Sequence, residues 1–428
     1  MKTFILVIFI LLYVLIIALP KYKHYTAAGA AVIAAISCLI SGHLTFSETV
    51  SGIDFNVIFM LVGIMITVGL FTESDMPNKI ADKLMGKISS GITAIVILVV
   101  LSGFISAFID NVATVLMIAP IGVAVAKKID VSPVPLIIAI AVSSNLQGAA
   151  TLVGDTTSIM LGGFADMGFS EFFFLDGKPS IFFAVEIGAL LTIPVVILLF
   201  RKNNKKFIYV SEDIKVKTLF PTVLLSVNIG LLVATSFIPD KFFLTNGIIC
   251  LVIGIIGIIH HSVKFKKSPL NIATKAVDFE TVAFLFFLFI MITCVEGVGI
   301  ISDISGFFAR LGDKNVFLLY TVIVYGSVLL SAFIDNIPYV ATMLPVIKTL
   351  CLSITSVSPY LLYFGLLCGA TLGGNLTPFG ASANVVGIGI LRREGETVKN
   401  SDFFKIGVPF TLVAVTGGYI FCWLVWGI

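Results

Sequence analysis

The sequence predicts an all-α polytopic membrane protein of about ten spanning helices plus two re-entrant hairpins, arranged as two inverted repeats with broken helices. Three observations carry that prediction. Of the 428 residues, 58% are hydrophobic and only 12% charged, against about 25% charged in a soluble domain. Apolar runs of about 20 residues, enough to cross about 30 Å of hydrocarbon, fill nearly the whole length. A six-letter motif, Ser-Ala-Phe-Ile-Asp-Asn, occupies 106–111 and again 331–336, an offset of 225.

Candidate spans run roughly over 3–19, 26–41, 55–72, 136–162, 181–200, 219–238, 243–261, 279–296, 359–391 and 406–427. The first has no small-residue cleavage site before Lys21 and reads as a retained span rather than a leader. Two further stretches, 92–126 and 316–348, contain the repeated motif. Each is too long for one helix and is interrupted by polar residues, so each is either a pair of short spans or a re-entrant hairpin. Irregular backbone at membrane depth is tolerated only where it is buried in protein or lines a watery cavity. Either form returns the chain to the side it came from.

Orientation follows from the basic residues. Twenty-one of the 27 Lys and Arg fall on one side, at 21–23, Lys79 to Lys87, Lys127 and Lys128, Arg201 to Lys217, Lys264 to Lys275, and Arg392 to Lys405. Lys2, Lys178, Lys241, Arg310, Lys314 and Lys348 fall on the other. The richer side is expected to be cytoplasmic in a cell (plasma) membrane, with both termini outside. The chain then divides into a first half (1–200, first repeat about 54–165), a cytoplasmic linker (201–218) and a second half (219–428, second repeat about 278–391). The basic linker reads as a topology signal. The expected partners are a lipid bilayer and a small ion, with no nucleic acid.

The repeat has three anchors in one order. Asp54-Phe55-Asn56 is matched by Asp278-Phe279-Glu280, and the Asp-Asn pair by its second copy. Gly148-Ala-Ala-Thr151-Leu-Val-Gly154-Asp155 is matched by Gly374-Asn375-Leu-Thr377-Pro-Phe-Gly380-Ala381. The charge count brings the first Asp-Asn unit in from the cytoplasm and the second from outside, so the halves are inverted.

An Asp at the centre of a membrane helix costs roughly 2.5–3.5 kcal/mol on insertion scales, so its recurrence points to a function. The glycine-, amide- and hydroxyl-rich stretches should break their helices, since a Gly costs about 1 and a Pro about 3 kcal/mol in a helix interior. A break frees carbonyls for cations and helix N-termini for anions. Candidate ligands in the first half are Asp110, Asn111, Asn145, Gly148, Thr151, Gly154 and Asp155. Those in the second are Asp335, Asn336, Gly374, Asn375, Thr377, Gly380, Ser382 and Asn384. Asp110, Asn111, Thr151 and Asp155 form the candidate Na⁺ set, because Ala381 stands where the second half would need a carboxylate. Thr114, Pro120, Pro338 and Pro345 read as shaping the hairpin arms. Six scattered cysteines, four histidines without ligand spacing, and no nucleophile–base set or phosphate loop argue against an enzyme or a resident cofactor.

These motifs, with Gly380-Ala-Ser-Ala-Asn384-Val-Val, resemble the ion transporter superfamily. That group includes arsenite permeases, the P protein, NhaD-type sodium–proton antiporters and citrate-transporter-like symporters. The resemblance covers essentially the whole chain. It implies paired hairpins, two broken helices, a homodimer with elevator-like alternating access, and transport of a small anion or oxyanion coupled to Na⁺ or H⁺. The alternative within the group is Na⁺/H⁺ antiport. Two features depart from the group's patterns. Dicarboxylate symporters carry a Ser-Asn-Thr hairpin tip where this chain has Asp-Asn, and Thr156-Thr157-Ser158 stands where Pro-Pro-Asn often follows Gly-Asp or Gly-Ser.

Overall fold

The structure is a computed structural model that describes residues 1–86, 88–203, 205, 214–313, 315–354 and 357–427. Lys87, Lys206 and Lys314 of the charge pattern, and 204 and 206–213 of the expected linker, lie outside the described residues. The fold is built almost wholly of helices. The first ten are α1 (Lys2–Ala18), α2 (Lys23–Ile40), α3 (Phe46–Ser51), α4 (Phe55–Glu73), α5 (Met76–Met85), α6 (Gly91–Ser106), α7 (Asn111–Lys128), α8 (Pro133–Gly148), α9 (Thr156–Phe164) and α10 (Ile181–Phe200). A two-stranded antiparallel ribbon, Phe174–Leu175 with Lys178–Pro179, precedes α10 and turns at Gly177, whose φ is +73°.

A second series follows in the same order. It comprises α11 (Phe220–Thr235), α12 (Thr245–Phe265), α13 (Pro269–Ala276), α14 (Phe279–Gly297), α15 (Ile300–Gly312), α16 (Val316–Ser331), α17 (Asn336–Ser353), α18 (Pro359–Gly373), α19 (Ser382–Arg393) and α20 (Asn400–Trp426). Among the described residues, seven helical segments are long and apolar enough to cross a membrane, and five shorter ones are apolar. This is the polytopic all-α architecture the hydropathy implied.

Local chemistry accounts for the ends of these elements. Asp54 and Asp278 each open a span as its N-cap, accepting from Val57 N at 3.0 Å and Thr281 N at 3.1 Å. A shared capping role explains why the two acids recur at one spacing. Thr45 and Glu48 close a capping box on α3. Four short helices, α3, α5, α13 and α15, were not expected from hydropathy. Each is too short to span; α5 and α15 carry charges on one side and bury Ala81 and Met85, or Ile300 and Ile301, on the other. Windows of membrane length average such amphipathic pieces away.

The helices sort into two packed groups. In one, α12 runs along α4 and α14 along α2, so each series lends a helix to the other. In the other, α10 packs on α20, α8 on α6, α7 and α19, and α18 on α16 and α20. Small residues allow the closest approaches. A Cβ on Gly188 would fall 2.7 Å from the Ala414 carbonyl oxygen, which requires glycine where α10 meets α20.

Candidate functional site

Both repeated motifs form hairpins. In the first, α6 ends at Ser106 and α7 starts at Asn111; in the second, α16 ends at Ser331 and α17 starts at Asn336. The Asp of each pair is the N-cap of the returning arm. The Asp110 Oδ2 accepts from Val112 N at 3.0 Å and Ala113 N at 3.1 Å. Two backbone donors and the positive end of a helix are the physical compensation for a carboxylate at this depth. Asp335 takes the same position, and its Oδ2 also accepts from Lys23 Nζ of α2 at 2.9 Å, with both side chains about four-fifths buried (18% and 19% exposed).

Both long candidate spans are broken. The first stops at Gly148 and resumes at Thr156; the second stops at Gly373, makes a single 3₁₀ turn over Gly374–Leu376 and resumes at Ser382. The breaks dock on the hairpin turns in the same way. Thr151 Oγ1 donates to the Ala107 carbonyl, and Thr377 Oγ1 to the Ala332 carbonyl at 2.5 Å. Glycine is required beside each tether. A Cβ on Gly154 would sit 2.5, 2.8 and 2.9 Å from the carbonyl oxygens of Gly148, Ala107 and Ser106. On Gly380 it would sit 2.6, 2.9 and 2.9 Å from those of Gly374, Ala332 and Ser331. Each break therefore gathers three backbone carbonyls and a threonine hydroxyl at one hairpin turn.

Side-chain amides stitch the two units together. Asn111 Nδ2 donates to Asn145 Oδ1 at 2.9 Å, and Asn145 Nδ2 donates to the Thr371 carbonyl at 2.7 Å and to Asn375 Oδ1 at 3.1 Å. Asn375 Nδ2 returns to the Val142 carbonyl at 3.0 Å. Asn384 Nδ2 spans the second break, donating to the carbonyls of Gly374 and Thr377 at 3.1 and 3.2 Å. All four of these asparagines are at least 95% buried.

The two half-helix starts differ. Asp155 caps α9: Thr156 N donates to its Oδ1 at 2.7 Å, while Thr157 Oγ1 and Asn336 Nδ2 donate to its Oδ2 at 3.0 and 3.2 Å. Ala381 stands at the start of α19, which has no side-chain cap. The first N–H groups of α19 are therefore left open, beside an exposed Ser382.

Most of the expected site residues thus lie together, and three observations refine the grouping. Asp155 bonds Asn336 of the second hairpin, because α9 packs against α17. Thr151 spends its hydroxyl proton on Ala107, so its free capacity is as an acceptor. Ser382 is exposed and makes none of the described hydrogen bonds, since its side chain turns away from the buried network. Among the described residues, no cluster of three or more His, Cys, Asp or Glu has the form of a metal site, and the candidate Na⁺ set is one of mixed oxygens. Sequence reasoning missed Lys23, which looked like a topology marker, and Ser144, Thr157 and Thr371, which bond within the network. Nothing in the spacing of Lys23 points to a hairpin over 300 residues away.

Two hairpins docked on two broken helices, inside a bundle of apolar spans, define a multi-pass membrane transporter and not an enzyme. The chain belongs to the citrate transporter family, whose pattern it matches over residues 11–362 and 231–427. A 46 kDa membrane protein of Mycobacterium leprae is 30% identical over 99% of both chains. An uncharacterized transporter of Mycobacterium tuberculosis is 29% identical over 97% of both. The P protein of Sus scrofa is 26% identical over 95% of this chain and 57% of its own length. In three dimensions, the crystal structure of the YdaH transporter of Alcanivorax borkumensis superposes with a TM-score of 0.62 at 15% identity, covering 90% of this chain and 88% of that one. The resemblance read from the motifs agrees with these findings.

Proposed function

We propose that the chain is a secondary active transporter that couples a small anion or oxyanion, carboxylate (citrate-like) or arsenite-like, to Na⁺ or H⁺. The observation that carries this reading is the unequal capping of two otherwise equivalent half-helices. At α9, Asp155 adds a negative charge to the oxygens of Ser106, Ala107, Gly148 and Thr151, a set suited to a cation. At α19, the uncapped N-terminus offers N–H donors and the positive end of the helix to an anion. Cation and anion are thereby received by opposite ends of one junction.

The reading includes two inverted halves, a homodimer, both termini outside the plasma membrane, and elevator-like movement of the hairpin group against the other. The ion pairs Lys127–Glu394, Lys205–Asp130, Lys217–Asp75 and Lys2–Asp303 support the orientation. Each joins segments that the charge pattern assigns to one face. A cavity of about 740 Å³ between the two groups, lined by Asp54, Asn56, Gly163, Asp240, Asn246 and Lys348, supports access from the extracytoplasmic face.

The test is transport by the purified protein in liposomes under imposed Na⁺ and H⁺ gradients, with citrate, other carboxylates and arsenite supplied in turn. Gradient-driven uptake of one of them is expected. Na⁺-driven proton flux that proceeds at full rate with no anion present would replace this reading with Na⁺/H⁺ antiport.

A further inference from the structure

The spanning helix α10 carries a single charged residue, Glu186, in an otherwise apolar run. It is partly buried, and among the described residues it has no ion pair or hydrogen bond. Glu186 lines a crevice of about 50 Å³ with Val96 and Val99 of α6, Ser143 and Gln147 of α8, and Thr192 of its own helix. That is room for at least one or two waters. The crevice opens beside Val100 and Leu190, apolar side chains on the outer surface of the bundle.

Two features of the crevice require explanation. Among the described residues no cation faces Glu186: α6 and α8 bring no titratable group to the crevice, and α20 meets α10 through Ala414, Gly417 and Gly418. The charged Asp402 and Lys405 stand in the first two turns of α20, and the Cys368 and Cys422 thiols turn towards each other. The second feature is Gln147, which is 95% buried and has its Oε1 unpartnered. Ser143 cannot serve it, because its hydroxyl donates to the Val99 carbonyl at 2.7 Å. An unpaired carboxylate and an orphan acceptor side by side in an apolar wall are both costly. A proton on Glu186 removes the charge and supplies the missing kind of donor.

We propose that Glu186 is a proton-binding site, separate from the hairpin junction, whose ligand is H⁺ taken up within this crevice. Gln147 immediately precedes Gly148, whose carbonyl belongs to the cation-type oxygen set, so the protonation state of Glu186 is relayed to that set through one peptide unit. The relay rests on the transport reading above; the proton site does not.

The experiment treats the full-length protein in liposomes with dicyclohexylcarbodiimide, a membrane-soluble reagent. The carboxyl proton passes to a carbodiimide nitrogen, the carboxylate oxygen adds to the central carbon, and the adduct rearranges to a stable N-acylurea with nothing lost. Peptide mass spectrometry should place the adduct on Glu186, with labelling falling about tenfold per pH unit above the titration of the group. E186Q should be unlabelled and E186D still labelled. Labelling of Glu186 only by a water-soluble carbodiimide with an added amine, or by neither reagent, overturns the proton site. The transport arm follows the pH profile of uptake, which should flatten in E186Q. An unchanged profile overturns the relay, whereas lack of anion uptake by the wild type, with Glu186 labelled, overturns the transport reading alone.

Discussion

Lys23→Met tests whether the second hairpin carries its own built-in cation. The Lys23 ammonium lies 2.9 Å from Asp335 Oδ2 and 5.4 Å from the centre of the Phe284 ring, with both partners of the pair about four-fifths buried. Removing one member of a buried pair typically costs about 3–5 kcal/mol, because the other charge is left without compensation. Partial exposure here moves the expectation to or somewhat below the bottom of that range, about 2–3 kcal/mol. Removing both charges, in Lys23→Met with Asp335→Asn, should recover most of that loss, giving a coupling energy of about 2 kcal/mol. The methionine variant also vacates the cation's place. Na⁺ should then stabilise it more than the wild type, by about 1.4 kcal/mol at ten times its dissociation constant. The assay is unfolding of the four proteins of the cycle in detergent, with Na⁺ varied at constant ionic strength. Additive single losses, together with equal Na⁺ responses in the variant and the wild type, would refute the role assigned to Lys23.

Three other outcomes are expected. Asp155→Asn leaves either Thr156 N, or both Thr157 Oγ1 and Asn336 Nδ2, facing an amide N–H₂, depending on which way the amide is turned. At about 1.5–3 kcal/mol per bond to a charged group, apparent coupling-cation affinity should fall about 10- to 100-fold, as read from the Na⁺ dependence of uptake. Thr151→Val and Thr377→Val each remove the hydroxyl tether to a hairpin turn and should cost about 1–3 kcal/mol in unfolding experiments, with Thr→Ser restoring most of it. Cysteines placed at Lys205 and Lys399 should react with impermeant reagents only from the cytoplasm, and one at Asp240 only from outside; the reverse pattern would overturn the assigned faces.

What the sequence made legible follows from the length of the chemical signals. Spans and breaks are written locally, in hydropathy and in runs such as Gly373-Gly374-Asn375-Leu-Thr-Pro378, and they appear where expected. Because the repeat preserves register, the pairing of Thr151 with Thr377 and Gly154 with Gly380 was visible before any coordinates. Partners across the fold were not. Asp155 meets Asn336, and Lys23 meets Asp335, through packing between segments over 180 residues apart, which no periodicity encodes. The acids Asp110 and Asp335 were flagged by their cost in an apolar run, but their caps explain part of that cost structurally. Glu186 bore the same signal, a carboxylate inside a span, and was overlooked because it lacks a repeated motif around it.

The charges that break the two-fold repeat all act in one direction. The first hairpin has Asp110, and the adjoining half-helix adds Asp155; among the described residues neither makes an ion pair. The second hairpin has Asp335 balanced by Lys23, and its half-helix begins at a neutral Ala381. The backbone frames are alike, since carbonyls, threonines and glycines correspond one to one, so the frame alone does not decide which ion goes where. The side chains do. On the reading proposed above, two unbalanced carboxylates beside gathered carbonyls would attract positive charge from outside the protein. A lysine already in place would discourage a cation at the second hairpin, and the bare start of α19 would be open to an anion. On the same reading, a repeat with identical charges would bind the same ion twice, whereas Ala381 in place of a second carboxylate and Lys23 beside Asp335 would make the frame a polar pair of sites, as co-transport of unlike ions requires.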